Sequence, residues 1–171
     1  GERYVHVFDS IHGLDTTILR YFHVYGPRQE SSDVGGVVSI FVRRMLENQP
    51  ILIFGDGTQQ RSFTYVKDVV KANILAAISG QQVRDQVFNC ASGIKVTIRE
   101  LAELCAKSLG LGQPDIRYGD WVPGDIKVFD IDNRRICEAL GMQFMTDLSQ
   151  GLDLTIEWGR NYFKREGIGS A

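Results

Sequence analysis

A glycine-rich dinucleotide loop is missing from this chain. Gly-x-Gly-x-x-Gly occurs nowhere, so the sequence carries no backbone cradle for a bound dinucleotide. Cysteine is scarce: Cys90, Cys105 and Cys137 are odd in number and far apart. That spacing fits neither a disulfide framework nor a zinc site, and suits small residues in or near a core. His6, His12 and His23 are equally scattered, so no metal site is expected. Neither charge sign dominates, since 19 Lys and Arg against 21 Asp and Glu leave a net charge of −2. The basic stripe of a nucleic-acid binder is therefore lacking, and there is no broad pull toward an anionic membrane. No apolar run approaches the ~20 residues of a membrane span, and no signal peptide is recognisable. What remains, 43% hydrophobic and 23% charged over 171 residues, is a globular composition able to bury one core. The cysteine usage points to the cytoplasm.

Periodicity supplies the elements. Tyr4, Val5, Phe8 and Ile11 recur at helical spacing before Gly13, which reads as the end of a helix that begins upstream. Residues 15–24 are β-branched and aromatic without strict alternation, as in a parallel strand covered on both faces. A polar loop, 26–36, leads to a helix over 36–48 that buries Val37, Phe41 and Met45 with Val38 and Val42. Pro50 forces an extended approach to a strand at Ile51–Phe54, which the Gly55-Asp56-Gly57 turn ends. Phe63–Val66 is extended again, and Asp68 is expected to cap a helix ending near Ser79-Gly80. A short strand at Val87–Asn89 follows. Thr97 and Glu100 form a capping box for a helix that buries Leu101, Leu104 and Cys105 and stops at Gly110. Two more helices follow, one over about 133–140 and one with Leu148, Leu152 and Ile156 in a stripe running to about Phe163. Short strands alternating with helices predict an α/β fold. The chain reads as the C-terminal part of a doubly wound protein with a small α/β cap.

Two dense segments carry the candidate chemistry, Arg20–Gln29 and Phe54–Tyr65. Arg61 follows a glycine-rich turn between Phe54 and Phe63, where a planar guanidinium can grip a pyrophosphate bidentately or simply serve a structural ion pair. Phe54 either stacks a nucleobase or closes its strand into the core. His23 either donates to a ligand oxygen, with a ring that titrates near neutrality, or is a satisfied strand-end group. Tyr21 and Tyr25 flank it at period two and would share its face. Arg28 stands in an exposed turn. Asp125, after Trp121-Val122-Pro123-Gly124, suits ribose hydroxyls and turn formation equally. Thr58, Gln59, Gln60 and Ser62 suit sugar hydroxyls or any exposed loop.

These segments resemble the C-terminal half of the extended short-chain dehydrogenase/reductase family, and more narrowly its NAD-dependent nucleotide-sugar epimerases and dehydratases of the UDP-glucose 4-epimerase type. The resemblance rests on LRYFHVYGPRQ at 19–29, ILIFGDGTQQRSFTYVKDVVKANILAA at 51–77, FNCASG at 88–93, VPGD at 122–125 and GLDLTIEW at 151–158. It implies a Rossmann-type NAD-binding fold with a small α/β substrate domain. Residues 1–26 would be the last helix and strand of the cofactor domain and 27–163 mainly the substrate domain. Residues 66–93 would return to the cofactor sheet, and 164–171 would be a flexible tail. It implies substrate contacts at His23, Phe54, Arg61 and Asp125, and cofactor contacts at Tyr21 and Phe22. The cofactor would be NAD, the substrate a nucleotide-diphosphate sugar of the UDP type, and the complete protein a homodimer.

Two positions depart from the family pattern. His23 stands where asparagine is usual, and Val122 stands where a second phosphate-binding arginine is usual, leaving Arg28, Arg117 or Lys127 as substitutes. The family's Tyr-x-x-x-Lys pair does not occur. Its lysine would lie just ahead of Gly1, so no catalytic residue is assigned within the chain and the chain alone is expected to be inactive. The resemblance implies a substrate-binding segment of an epimerase, with a dehydratase, a decarboxylase or a truncated non-catalytic nucleotide-sugar binder as the alternatives.

Overall fold

The computed structural model describes residues 1–32 and 35–165; the end of the predicted tail, 166–171, lies outside them. The chain is α/β, with parallel strand pairs packed by helices. In order it runs α1 (Glu2–His12), β1 (Thr17–Tyr21), β2 (Val24–Tyr25), α2 (Val37–Leu46), β3 (Ile51–Phe54), β4 (Gln60–Ser62), β5 (Thr64–Tyr65) and α3 (Val66–Ile78). A 3-10 turn at Gly80–Val83 leads to β6 (Gln86–Cys90), β7 (Lys95–Thr97), α4 (Ile98–Leu109), β8 (Ile116–Gly119), α5 (Arg134–Leu140) and α6 (Leu148–Arg165).

β1 and β6 pair in parallel from Thr17↔Gln86 to Tyr21↔Cys90. α3 and α5 pack on this pair, burying Val69, Ala72, Phe88, Cys90, Ile136 and Met142 together. A second core gathers Phe41, Ile53, Phe63, Leu101, Leu152 and Ile156 from α2, β3, α4, α6 and the β4–β5 junction. Each fully buried large side chain of this kind contributes about 1.5–3 kcal/mol. Around that core β3 pairs in parallel with β8, β2 in parallel with β5, and β4 antiparallel with β7 through Arg61↔Val96.

Several local expectations hold. Gly13, Gly110 and Gly141 end their helices in the left-handed conformation, and the Thr97–Glu100 capping box forms with both reciprocal bonds. Others need correction. The stretch 15–24 is two strands, because His23 adopts φ 38° and interrupts the run. That break also separates Tyr21, which is exposed, from Tyr25, which is buried, so the two do not share a face. β1 is only half-buried and its last two residues are exposed. Tyr4, Val7, Phe8 and Ile11 of α1 and the Val70, Ile74 and Ile78 stripe of α3 are exposed as well. Asp68 is not a cap: Tyr65 is the N-cap of α3 without a side-chain bond, and the buried Asp68 carboxylate accepts from the Thr146 N–H at 3.2 Å. β7 and β8 are strands without a counterpart in the periodicity of the sequence. Val66 starts α3 and does not extend a strand, and α6 continues past Phe163 to Arg165.

Candidate functional site

A cleft of about 610 Å³ opens between the start of α2, strands β3 and β4, and the loop at 122–125. His23, Phe54, Arg61 and Asp125 all line it, together with Leu52 and Gln59. Strict alternation in β3 produces one wall. Ile51 and Ile53 point into the core while Leu52 and Phe54 emerge on the open side. Phe54 is 50% exposed, so it does not close its strand into the core and its ring is available to a ligand. The same alternation places Leu52 in the lining, a residue the motifs did not name; since Ile51-Leu52-Ile53-Phe54 is apolar throughout, only the period of a strand could have pointed to it. Beyond β3, Gly55 turns at φ 79°, and a Cβ there would meet Trp121 Cε3 at 2.4 Å. Only glycine lets the chain pass under that indole.

Arg61 sits at the floor, 8% exposed. Its Nη1 donates to the carbonyls of Gln60 at 2.7 Å and Ile126 at 2.6 Å, and its Nη2 donates to Asp125 Oδ1 at 2.5 Å. Arg61 and Asp125 are therefore an ion pair within the site, a partner that residue type alone did not reveal. Asp125 also accepts from the Ile126 N–H, and its own N–H donates to the Val122 carbonyl, so it forms the turn as well. Gln60 N–H to Lys127 O ties the same loop to β4.

Gln59 and Ser62 are buried and do not belong to an exposed loop. Gln59 Nε2 donates to the Phe54 carbonyl at 2.7 Å, while its Oε1 has no hydrogen-bond partner among the described residues. Thr58 donates to Asp56 through both its N–H and its hydroxyl.

His23 is exposed at the mouth, yet its ring is flanked by Phe63 at 5.7 Å and edge-on by Phe129 at 5.8 Å. This crowding is the larger cause that holds its pKa below the ordinary histidine value, and the Arg61 charge adds to it. Tyr21 and Phe22 lie elsewhere. Tyr21 faces a second hollow of about 480 Å³ along β1 and α3, with its hydroxyl donating to Asn73 Oδ1. Phe22 packs against Phe129 at 5.9 Å. Arg28, Arg117 and Lys127 are not among the described residues lining the cleft. No group of three potential metal ligands occurs among the described residues, and no described helix is long and apolar enough to cross a membrane.

The cleft thus offers an apolar wall for a flat ring, a guanidinium for an anion and amide groups for hydroxyls.

Residues 1–91 match the family described as the NAD dependent epimerase/dehydratase family. A UDP-glucose 4-epimerase of Mycolicibacterium smegmatis is 34% identical over 162 residues, covering 94% of this chain and 50% of that protein. A UDP-N-acetyl-alpha-D-glucosaminuronate decarboxylase of Bacillus cytotoxicus is 39% identical over 94 residues, 55% of this chain and 29% of that protein. The crystal structure of a UDP-glucose 4-epimerase of Thermotoga maritima with UDP-glucose superposes with a TM-score of 0.88 at 38% identity, over 95% of this chain and 51% of that one. The chain spans about half the length of the epimerases it matches.

Proposed function

The chain belongs to the NAD dependent epimerase/dehydratase family, and we propose that it is the substrate-binding half of an NAD-dependent epimerase acting on a UDP-sugar. The observation that carries this reading is the convergence of Phe54, Arg61, Asp125 and His23 on one cleft. Arg61 would hold the diphosphate, Phe54 and Leu52 would flank the base, and Gln59 would meet a donor of the ligand through its unpaired oxygen. Asp125 would release Arg61 in part and accept from ribose.

We read β1 and β6 as the last strands of the cofactor sheet, which puts residues 1–26 and 66–93 in the cofactor domain and most of 27–163 in the substrate domain. The exposed stripe of α3 and the uncovered face of β1 support this, since each needs a partner element. NAD would meet this chain at the carboxyl end of β1, where open parallel sheets hold their ligands. Tyr21, fixed by Asn73, and Phe22, fixed by Phe129, would form a wall there and nothing more. When bound, NAD supplies hydride transfer to and from the sugar. The groups that move the accompanying proton lie outside this chain in our reading.

Tyr4, Phe8 and Ile11 form an exposed apolar face on α1 that we assign to a homodimer contact. Three unpaired thiols support a cytoplasmic location. A second reading, a decarboxylase of the same family, is favoured by the match to the decarboxylase named above.

The deciding experiment incubates the complete protein and NAD with UDP-glucose and, in a separate reaction, with a UDP-uronic acid. Inversion at C4 of the sugar supports the epimerase. Carbon dioxide release from a UDP-uronic acid, without C4 inversion, would replace it with the decarboxylase. Titration of the isolated 171-residue chain with NAD should show poor binding and no turnover; tight stoichiometric binding would contradict the division of labour proposed.

A further inference from the structure

The cleft's charge balance is upset by the ligand proposed for it. Of the described residues that line it, only His23, Arg61 and Asp125 carry charged or titratable groups. Arg61 and Asp125 cancel one another across their contact, and the other Nη of Arg61 is spent on two carbonyls. A diphosphate brings two negative charges to a floor that has no unopposed cation. His23 is the remaining group able to supply one. Its backbone is fixed in the left-handed turn between β1 and β2, and its ring is braced by Phe63 from the β4–β5 junction and by Phe129 from the loop before α5. The ring therefore stands at the mouth in a set place while staying open to solvent.

We propose that His23 is the second cation of the anion clamp, acquired with the ligand: when a nucleotide diphosphate enters, a proton from solvent binds the lone pair of the His23 imidazole, and it leaves when the ligand leaves. No ligand bond forms or breaks in this step. The proposal rests on the nucleotide-sugar reading of the cleft. The charged groups that face His23 are Arg61 on β4 and Asp125 on the loop. In the free cleft, crowding and Arg61 keep the imidazole neutral near pH 7, against the smaller opposing pull of the Ser62 backbone and Asp125. Two phosphate charges beside the ring reverse the local field and favour the imidazolium. A group whose pKa is higher in the complex takes up protons on binding, so affinity falls as pH rises through its range.

The test is calorimetry of the complete protein with UDP-glucose, whose doubly esterified diphosphate keeps a constant charge through the histidine range. Heats in buffers of different ionisation enthalpy near neutral pH should reveal uptake approaching one proton per ligand. Affinity should fall several-fold, up to about tenfold, from about pH 6 to about pH 8. His23→Asn tolerates a positive φ; it should still bind, with neither proton uptake nor that pH slope. Absence of uptake in the wild-type protein, or a slope that survives in His23→Asn, would overturn the role of His23 while leaving the cleft's assignment intact. No binding of UDP-glucose at any pH would instead remove the nucleotide-sugar reading, and this proposal with it.

Discussion

Arg61 and Asp125 stand 64 positions apart in the chain and meet at 2.5 Å. Their contact joins β4 to the loop that closes the cleft. Arg61 is fixed from the other side by the β4–β7 ladder, in which it faces Val96. The pair therefore adds a side-chain link to the backbone bond from Gln60 N–H to Lys127 O that already joins these two elements, and it leaves the guanidinium oriented before any ligand arrives. Such preorganisation lowers the ordering cost of binding. It also sets up a competition, because a phosphate and the carboxylate want the same donors.

That competition can be measured by removing either partner. Arg61→Ala should weaken UDP-glucose binding to the complete protein by about 1–3 kcal/mol, the range for losing a charged hydrogen-bond partner. Asp125→Asn keeps an oxygen for the Ile126 N–H but leaves Arg61 unopposed. It should tighten binding by up to about fivefold, a modest factor because the carboxylate is about one-third exposed and its pairing is screened. Isothermal titration gives both values. An unchanged dissociation constant in Arg61→Ala would take Arg61 out of the site.

The α4 cap should matter to the cleft as well as to stability. Thr97 Oγ1 accepts from the Glu100 N–H, the Glu100 carboxylate accepts from the Thr97 N–H, and Thr97 is also the residue of β7 that faces Gln60. Thr97→Ala should cost about 0.5–2 kcal/mol in urea denaturation of the complete protein. Because it loosens the ladder beside Arg61, it should also weaken ligand binding. A stability loss with no change in affinity would show that the ladder does not position Arg61.

Local signals were readable in the sequence and distant ones were not. The Thr97–Glu100 box and the glycine stops depend on residues a few positions apart, and they appear where the pattern places them. The error at Asp68 has the opposite cause: an acidic residue near a helix start satisfies the rule for a cap, but its carboxylate is claimed by Thr146, 78 positions away. β8 has no clear signature in the sequence because Arg117 and Tyr118 are exposed. Its strand character comes from pairing with β3 and not from its own pattern. The left-handed turn at His23 has only a weak local marker: histidine visits positive φ more often than most residues, but far less readily than glycine. The motifs named His23, Phe54, Arg61 and Asp125 through the family resemblance. Periodicity could not have gathered residues so far apart, nor shown that two of them pair.

Buried acids give the fold a limit at high pH. Burial pushes the Cys105 thiol up to about 12 and the Cys90 thiol up to about 11, and drives the Tyr25 phenol upward as well. Their raised values mean that the folded chain keeps protons the unfolded chain has already lost once pH passes the ordinary thiol value of about 8.5. Stability should therefore be level below that pH and fall as pH rises toward about 11–12, by about 1.4 kcal/mol per pH unit for a single thiol such as Cys105. Urea titrations at a series of alkaline pH values check this, and Cys105→Ala should flatten the slope. The same burial should make Cys137, which is half-buried, react with a thiol reagent before Cys90 and Cys105. Equal rates for all three in the native protein would contradict it.

The packing of α6 against Tyr25 yields the sharpest steric expectation. A Cβ added at Gly151 would stand 2.0 Å from Tyr25 Oη and 2.8 Å from its Cζ. Tyr25 cannot retreat, because its ring meets Tyr65 at 5.6 Å and Phe63 at 6.3 Å inside the core. Gly151→Ala should therefore destabilise by about 1–3 kcal/mol, even though alanine in a helix interior is ordinarily favoured over glycine by about 1 kcal/mol. The Tyr25 hydroxyl has no hydrogen-bond partner among the described residues, and a buried unpaired donor is costly. Tyr25→Phe should therefore leave stability unchanged or raise it. In the Tyr25→Phe background Gly151→Ala should cost less than it does alone, with a coupling of at least about 0.5 kcal/mol. Thermal melts of the two single variants and the double variant measure the cycle. Additive effects would mean that the helix shifts away from the ring and that the close approach of Gly151 to Tyr25 is not a constraint on the fold.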